Sequence, residues 1–276
     1  MKEFAKKAVP DRLFKFYGIN DGTEKHLLAD EITLKKASEF NDPFDSLVYS
    51  DKSKIYSEFK QYFFSQDLFF TKKISDEMMQ SELDEMYPET YKMLQEYSYI
   101  MCLTPDVTSQ LMWAHYADSH KGYALEYSGE NLKAVCDSYD KYYNKYLLPV
   151  EYTKRRYDAT CAVERVLEYR FATEHGLSYR QLDDTLELIK PLLYKSDDWK
   201  YEKEWRLILN CLVDNAAVRI DRKMTKQIKP KAIYLGCNIS EQNEELFRSI
   251  ALKKSIPVKK MKMNNESYEF KMEIGI

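Results

Sequence analysis

Glycine is scarce in this sequence: 7 of 276 positions, against roughly 7% in average usage. Gly18, Gly22, Gly122, Gly129, Gly176, Gly236 and Gly275 form neither G-x-G-x-x-G nor G-x-x-x-x-G-K. The dinucleotide fingerprint and the P-loop are therefore excluded. The five cysteines, Cys102, Cys136, Cys161, Cys211 and Cys237, contain no C-x-x-C pair, so zinc ribbons and dithiol redox motifs find no support. Apolar runs reach five residues at most, far short of the roughly 18 that span a bilayer. Charge of either sign is not in excess: 42 Lys and Arg face 45 Asp and Glu, for a net charge of -3. No chain-wide basic field attracts nucleic acid or an anionic membrane, although a local basic patch stays open. The odd cysteine count, three cysteines in apolar runs and no apolar signal behind Met1-Lys2-Glu3 lead to the expectation of a reduced, cytoplasmic protein without a membrane partner.

What is present is enough chain for a sizeable core and a great deal of tyrosine, 23 residues. The tyrosine fits base stacking or an AT-rich genome. Arg12 to Tyr17 and Glu31 to Leu34 alternate in the strand period around a short helical piece at Glu24 to Ala29, and read as two paired strands. Helical periodicity dominates residues 53–97 and again 158–194. Between them the pattern gives a strand at Tyr99 to Leu103, a helix at Thr108 to Ala117, and strands at Tyr123 to Tyr127 and Leu147 to Tyr152. Beyond them come strands at Trp205 to Leu209, Val218 to Asp221, Ala232 to Leu235, Val258 to Met263 and Tyr268 to Ile274, with a helix at Glu241 to Ala251. With no linker and no repeat, the expectation is a single α+β domain over 1–276, with a mixed, mainly antiparallel sheet and two helical insertions.

Three clusters place polar groups beside aromatics where regular structure begins or ends. Phe40-Asn41-Asp42-Pro43-Phe44-Asp45 is a turn, because the residue before proline avoids the helical region and Asx side chains cap backbone amides. It also offers two carboxylates and an amide to a pocket mouth. Leu111 to Asp118 followed by Ser119-His120-Lys121-Gly122 puts Trp113, Tyr116 and Ala117 on one helix side, and Leu111 with His115 on another. His115 and His120 are five apart, which does not offer the i, i+4 metal pair. In Lys195 to Leu209, strand alternation sends Glu204, Arg206 and Ile208 to one face and Trp205, Leu207 and Leu209 to the other. Both faces look covered, so the carboxylate and guanidinium must be paired, with Glu126 one possible partner, or functional.

The order of these motifs resembles a bacterial family, the domain-of-unknown-function 2971 family. The matching stretches are Leu13-Phe14-Lys15-Phe16, Phe40 to Asp45, Leu111 to Tyr123, Val150-Glu151-Tyr152, Lys195 to Arg206 and Ile233 to Gly236. Tyr17 stands where that family often has Arg, and Thr104-Pro105 where it often has Ser-Glu. Family resemblance alone names no reaction. A second resemblance suggests one: Glu202-Lys203-Glu204 opening an apolar strand is similar to the E-x-E element of ADP-ribosyltransferases. That likeness implies NAD as substrate, with no metal. It makes Glu204 the carboxylate that stabilises positive charge as the glycosidic bond breaks, with Glu202 and His115 as further catalytic candidates. It implies NAD contacts from Lys15, Tyr17, Asn41, Asp42, Asp45 and Arg206, and nicotinamide stacking on Tyr116 or Trp113.

Three functions follow as expectations. The first is an NAD-consuming ADP-ribosyltransferase acting on a macromolecular acceptor, protein or nucleic acid, as a bacterial toxin or anti-phage effector. The second is a nuclease or phosphohydrolase holding Mg or Mn with Asp42, Asp45, His115 and Glu202 or Glu204. The third is a non-catalytic binding module whose polar clusters are buried ion pairs.

Overall fold

The computed structural model describes residues 7–66, 74–137, 144–180, 186–210, 224–267 and 272–275. Its strands are β1 (Arg12–Tyr17), β2 (Glu31–Lys36), β3 (Ser98–Leu103), β4 (Tyr123–Ser128), β5 (Asn144–Pro149) and β6 (Glu151–Thr153). They continue with β7 (Tyr194–Ser196), β8 (Trp205–Asn210), β9 (Met224–Gln227), β10 (Ala232–Leu235), β11 (Val258–Met263) and β12 (Met272–Gly275). The helices are α1 (Thr23–Ala29), α2 (Lys52–Gln66), α3 (Asp76–Glu96), α4 (Gln110–Tyr116), α5 (Gly129–Asp137), α6 (Thr160–His175), α7 (Leu186–Ile189) and α8 (Glu241–Lys254).

The α+β class and the mixed, mainly antiparallel pairing hold, with the strands divided between two five-stranded sheets. One has the order β1-β4-β10-β11-β12 and the other β5-β8-β3-β2-β9, beside a two-stranded β6-β7 pair. In the first sheet only β10 and β11 run parallel. The second is antiparallel throughout. The expected pairing of the first two strands is corrected: β1 pairs β4, whereas β2 pairs β3 and β9. Alternation of side chains marks a strand but does not say which neighbour it takes. A bridge from Phe14 to Thr104 stitches the two sheets together, with Phe14 N–H to Thr104 O at 2.7 Å and the return bond at 2.9 Å.

Period-two alternation explains the layers. Leu13, Tyr123, Leu125, Tyr127, Ile233 and Leu235 of the first sheet share one core with Tyr99, Met101, Leu103, Trp205, Leu207 and Leu209 of the second. The opposite face of the first sheet, with Phe14, Phe16 and Tyr234, packs on Trp113 and Ala117 of the α4 region. The two helical insertions meet in a separate core, where Phe59 and Phe63 of α2 lie against Phe171 of α6 with ring centroids 5.1 and 5.2 Å apart. Among the described helices, none is long and apolar enough to cross a membrane. The strand expected at Val218 to Asp221 and the first four residues of the one expected from Tyr268 lie outside the described residues.

The segment after α4 is built by backbone geometry. Asp118, Ser119 and His120 have φ of 45°, 53° and 67°, a left-handed run that costs non-glycine residues roughly 1–2 kcal/mol each. The reversal lets Gly122 N–H bond Ala117 O at 2.7 Å and Asn238 N–H bond His120 O at 3.0 Å. A Cβ at Gly122 would lie 2.2 Å from Tyr17 O, and one at Gly236 2.0 Å from His120 O. Both positions need glycine because two backbones touch there.

Candidate functional site

The site starts at the entrance to β8. Lys203 has φ 49°, and this left-handed step turns the chain from the 3-10 segment Asp197–Glu202 into the strand. Its own ammonium swings outward to Asp106 Oδ2 at 2.8 Å. Glu202 and Glu204 consequently aim at the same interior spot. The Glu204 backbone is pinned on both sides, donating to Tyr152 Oη at 2.8 Å and accepting from Val150 N–H at 2.8 Å.

Two cations meet these carboxylates. Arg206, fully buried, donates from Nε to Glu204 Oε1 at 2.7 Å, from Nη2 to Asp45 Oδ2 at 2.6 Å and from Nη1 to Leu192 O at 2.6 Å. Its guanidinium stands 5.2 Å over the Phe40 ring. Lys195 Nζ donates to Glu202 Oε2 at 2.7 Å and Glu204 Oε2 at 3.2 Å, lies 3.5 Å from Asp45 Oδ2, and sits 4.9 Å over the Trp199 ring. Tyr116 donates its phenol O–H to Glu202 Oε1 at 2.5 Å. Three carboxylates thus face two cations, which leaves one negative charge in excess when all are ionised.

The environments drive the two glutamates apart. Burial, followed by the nearby Glu204 charge, pushes Glu202 up to about 7, against the pull of Lys195 and the Tyr116 hydroxyl. Burial works the same way on Glu204, but Arg206 and Lys195 outweigh it and hold that carboxyl well below the usual range. For Lys195, burial opposes the charge, and Glu204, Asp45 and Glu202 more than compensate, so its pKa is raised. Burial, then Glu202, raises the Tyr116 phenol. Cys102, whose thiol is raised by burial and by Glu204, adds a further hydrogen bond to that carboxylate. A buried pair with divergent proton affinities is what acid–base assignments look for.

The cluster opens on a cavity of about 420 Å3. Lys15, Tyr17 and Asn41 line it together with Asp45, His115, Tyr116, Glu202 and Glu204. Segments distant in sequence therefore converge on one hollow. Three expected site residues do not reach it. Trp113 is fully buried behind Tyr116, with its indole N–H on Val107 O at 2.7 Å, and offers no stacking face. Arg206 sits behind Glu204. Asp42 lines a neighbouring cleft of about 730 Å3 instead. Glu126 is not the partner of Arg206, because it accepts from Tyr234 Oη at 2.7 Å across the other sheet. The donor set of the metal-ion alternative is not gathered: Asp42 faces elsewhere, and Asp45, Glu202 and Glu204 are occupied by Lys195 and Arg206. Among the described residues, the grouping with mutually close ligand atoms is Glu82, Glu174 and His175 on the helical block.

Lys195 is the residue the sequence reasoning passed over, although it opens the third cluster. Lysine on a three-residue strand is an ordinary surface pattern, and its burial depends on packing.

Residues 112–207 match the model of a family described as Protein of unknown function (DUF2971). The resemblance read from the motifs holds over that segment, which carries most of α4 and the Lys195 to Arg206 stretch. No curated protein and no solved structure matches the chain.

Proposed function

We propose that the protein transfers ADP-ribose from NAD to a macromolecular acceptor, in the manner of ADP-ribosyltransferases, acting in the cytoplasm as a toxin or anti-phage effector. The observation that carries this reading is the glutamate pair at the wall of the 420 Å3 cavity, one member held ionised and the other titrating near neutrality. A cavity of that size lies within the usual range for small-molecule sites.

In this reaction the bond between nicotinamide nitrogen and ribose C1′ breaks, and its electron pair leaves with neutral nicotinamide. The sugar carbon becomes cationic, and the acceptor's lone pair closes the new bond. The carboxylate excess in the cluster, with Glu204 permanently ionised, stabilises that cation in a partly dry pocket. Glu202 takes the acceptor's proton, and the Tyr116 hydroxyl and Lys195 hold its carboxyl in place. Lys15 and Asn41 across the cavity supply a cation and an amide for the diphosphate and sugar of NAD, and Tyr17 or Tyr116 an aromatic face for nicotinamide.

Incubation of the purified protein with labelled NAD and a cell lysate tests the reading. Label transfer or nicotinamide release is expected from the wild type, and a loss of about a hundredfold or more from Glu202→Gln. No transfer and no release from the folded wild type would refute it. Glu204→Gln is a poor substitute, because it takes from buried Arg206 one of its two carboxylate partners and leaves it Asp45 alone.

A further inference from the structure

The second cavity, the 730 Å3 cleft, is not used by the chemistry above, yet it shares His115 and Lys195 with the first. The two hollows therefore adjoin at His115 and Lys195, the lysine whose ammonium holds Glu202 and Glu204. One rim of the cleft is Lys154-Arg155-Arg156, a turn between β6 and α6, and all three side chains are exposed. Among the described residues none of these three cationic groups has an ion-pair partner. Asp42 and Asp198 also line the cleft, but each is engaged locally, Asp42 by the Phe44 N–H at 2.9 Å and Asp198 by the Ser196 hydroxyl at 2.8 Å.

Aromatic faces supply the rest. Phe44 is 65% exposed, an unusual state for a phenylalanine. Trp199 and Tyr201 also line the cleft, ring centroids 6.1 Å apart, with Lys195 Nζ 4.9 Å over the Trp199 ring. Unpaired cations along a rim with accessible rings beside them are the elements that hold single-stranded nucleic acid: phosphates on Lys and Arg, bases on rings. An acidic peptide would use the cations but leave the rings without a role. The rim is open to the surface, so a polymer backbone can enter and leave, which a closed mononucleotide pocket does not permit.

The geometry points to single-stranded nucleic acid as the acceptor, seated in this cleft with a nucleotide carried past His115 toward Glu202. This inference extends the transferase reading by giving the acceptor class, and its test is a binding measurement made without NAD.

Fluorescence anisotropy with a labelled oligonucleotide of about ten nucleotides, a length within the usual single-strand footprint, is run across a salt series. Three phosphates neutralised by Lys154, Arg155 and Arg156 give a slope of log affinity against log salt of about -2, falling to about -0.7 in Arg155→Ala/Arg156→Ala. Phe44→Ala is expected to weaken binding about tenfold with the salt slope unchanged, since stacking carries no counterion release. All three positions are exposed, so thermal melts of the variants should match the wild type. Absent binding, a slope that ignores the arginine pair, or an acidic peptide that binds where the oligonucleotide does not would each overturn the inference. Oligonucleotide binding without NAD turnover would refute the transferase and leave the cleft standing. Transfer to protein without oligonucleotide binding would do the reverse.

Discussion

Replacing Glu202 with glutamine should stabilise the protein while abolishing the proposed transfer. The side chain is buried, and its folded-state pKa of about 7 lies above the ordinary 4.5. A carboxyl whose pKa is raised by folding contributes stability that is fully present below about 4.5 and lost as pH rises through about 7. Going from 4.5 to about 7, at about 1.4 kcal/mol for each tenfold in proton affinity, corresponds to roughly 3 kcal/mol lost by the wild type at pH 8. Glutamine carries no charge and keeps the carbonyl that accepts from Tyr116, so the variant escapes that loss, less what it gives up where its amide replaces the oxygen that accepts from Lys195. At about 2–4 °C for each kcal/mol in a chain of 276 residues, the variant should melt about 6–12 °C higher at pH 8. The two proteins should converge near pH 4.5. Parallel urea titrations or thermal scans from pH 4.5 to 8.5, with circular dichroism as the probe, measure this directly. A variant less stable than the wild type at pH 8, or a gap that does not change with pH, would show that Lys195 compensates the Glu202 charge fully and that Glu202 is no proton acceptor.

The neighbouring carboxylate should behave oppositely. Glu204→Gln and Arg206→Met each remove one partner of a buried charge, leaving Asp45 to Arg206 and Lys195 to Glu204, and should cost up to about 3–5 kcal/mol, read as a lowered denaturant midpoint. Because folding holds Glu204 below the usual carboxylate range, its contribution is present above that range and fades as pH falls below it, the reverse of Glu202. Gly122→Ala places a methyl 2.2 Å from Tyr17 O and should destabilise by about 3 kcal/mol or abolish soluble expression, since two backbones would have to separate. Ser240→Ala removes the hydroxyl that accepts from Asn243 N–H at 3.3 Å at the start of α8, and should cost about 1 kcal/mol in a thermal melt with no effect on NAD turnover.

How far the sequence could be read depended on whether the governing interaction was local. The strands Ala232 to Leu235 and Val258 to Met263 match β10 and β11, and the alternation of Trp205, Leu207 and Leu209 against Arg206 and Ile208 is the one observed. Each follows from a short apolar run or a period of two within a few residues. The helix α5 at Gly129–Asp137 escaped notice because it begins directly on the end of β4, with no intervening turn residues. Partner choice was less legible. Arg206 was expected to be paired, but its second carboxylate belongs to Asp45, 161 residues away, and no spacing rule encodes such a contact. Tyr116 lines the cavity and Trp113 does not, although both lie on one helix side, because three residues of rotation decide which ring meets the cavity and which meets the Val107 carbonyl.

The distance between Asp45 and Arg206 has a further consequence for biogenesis. The loop bearing Asp45 leaves the ribosome long before β8 is made, and the charge cluster cannot close until both have emerged and the sheets have docked. A nascent or truncated chain would carry Lys15 and Asn41 without the glutamates that face them. Whatever chemistry the finished molecule performs, the cell that synthesises it meets that chemistry only after translation has passed residue 206.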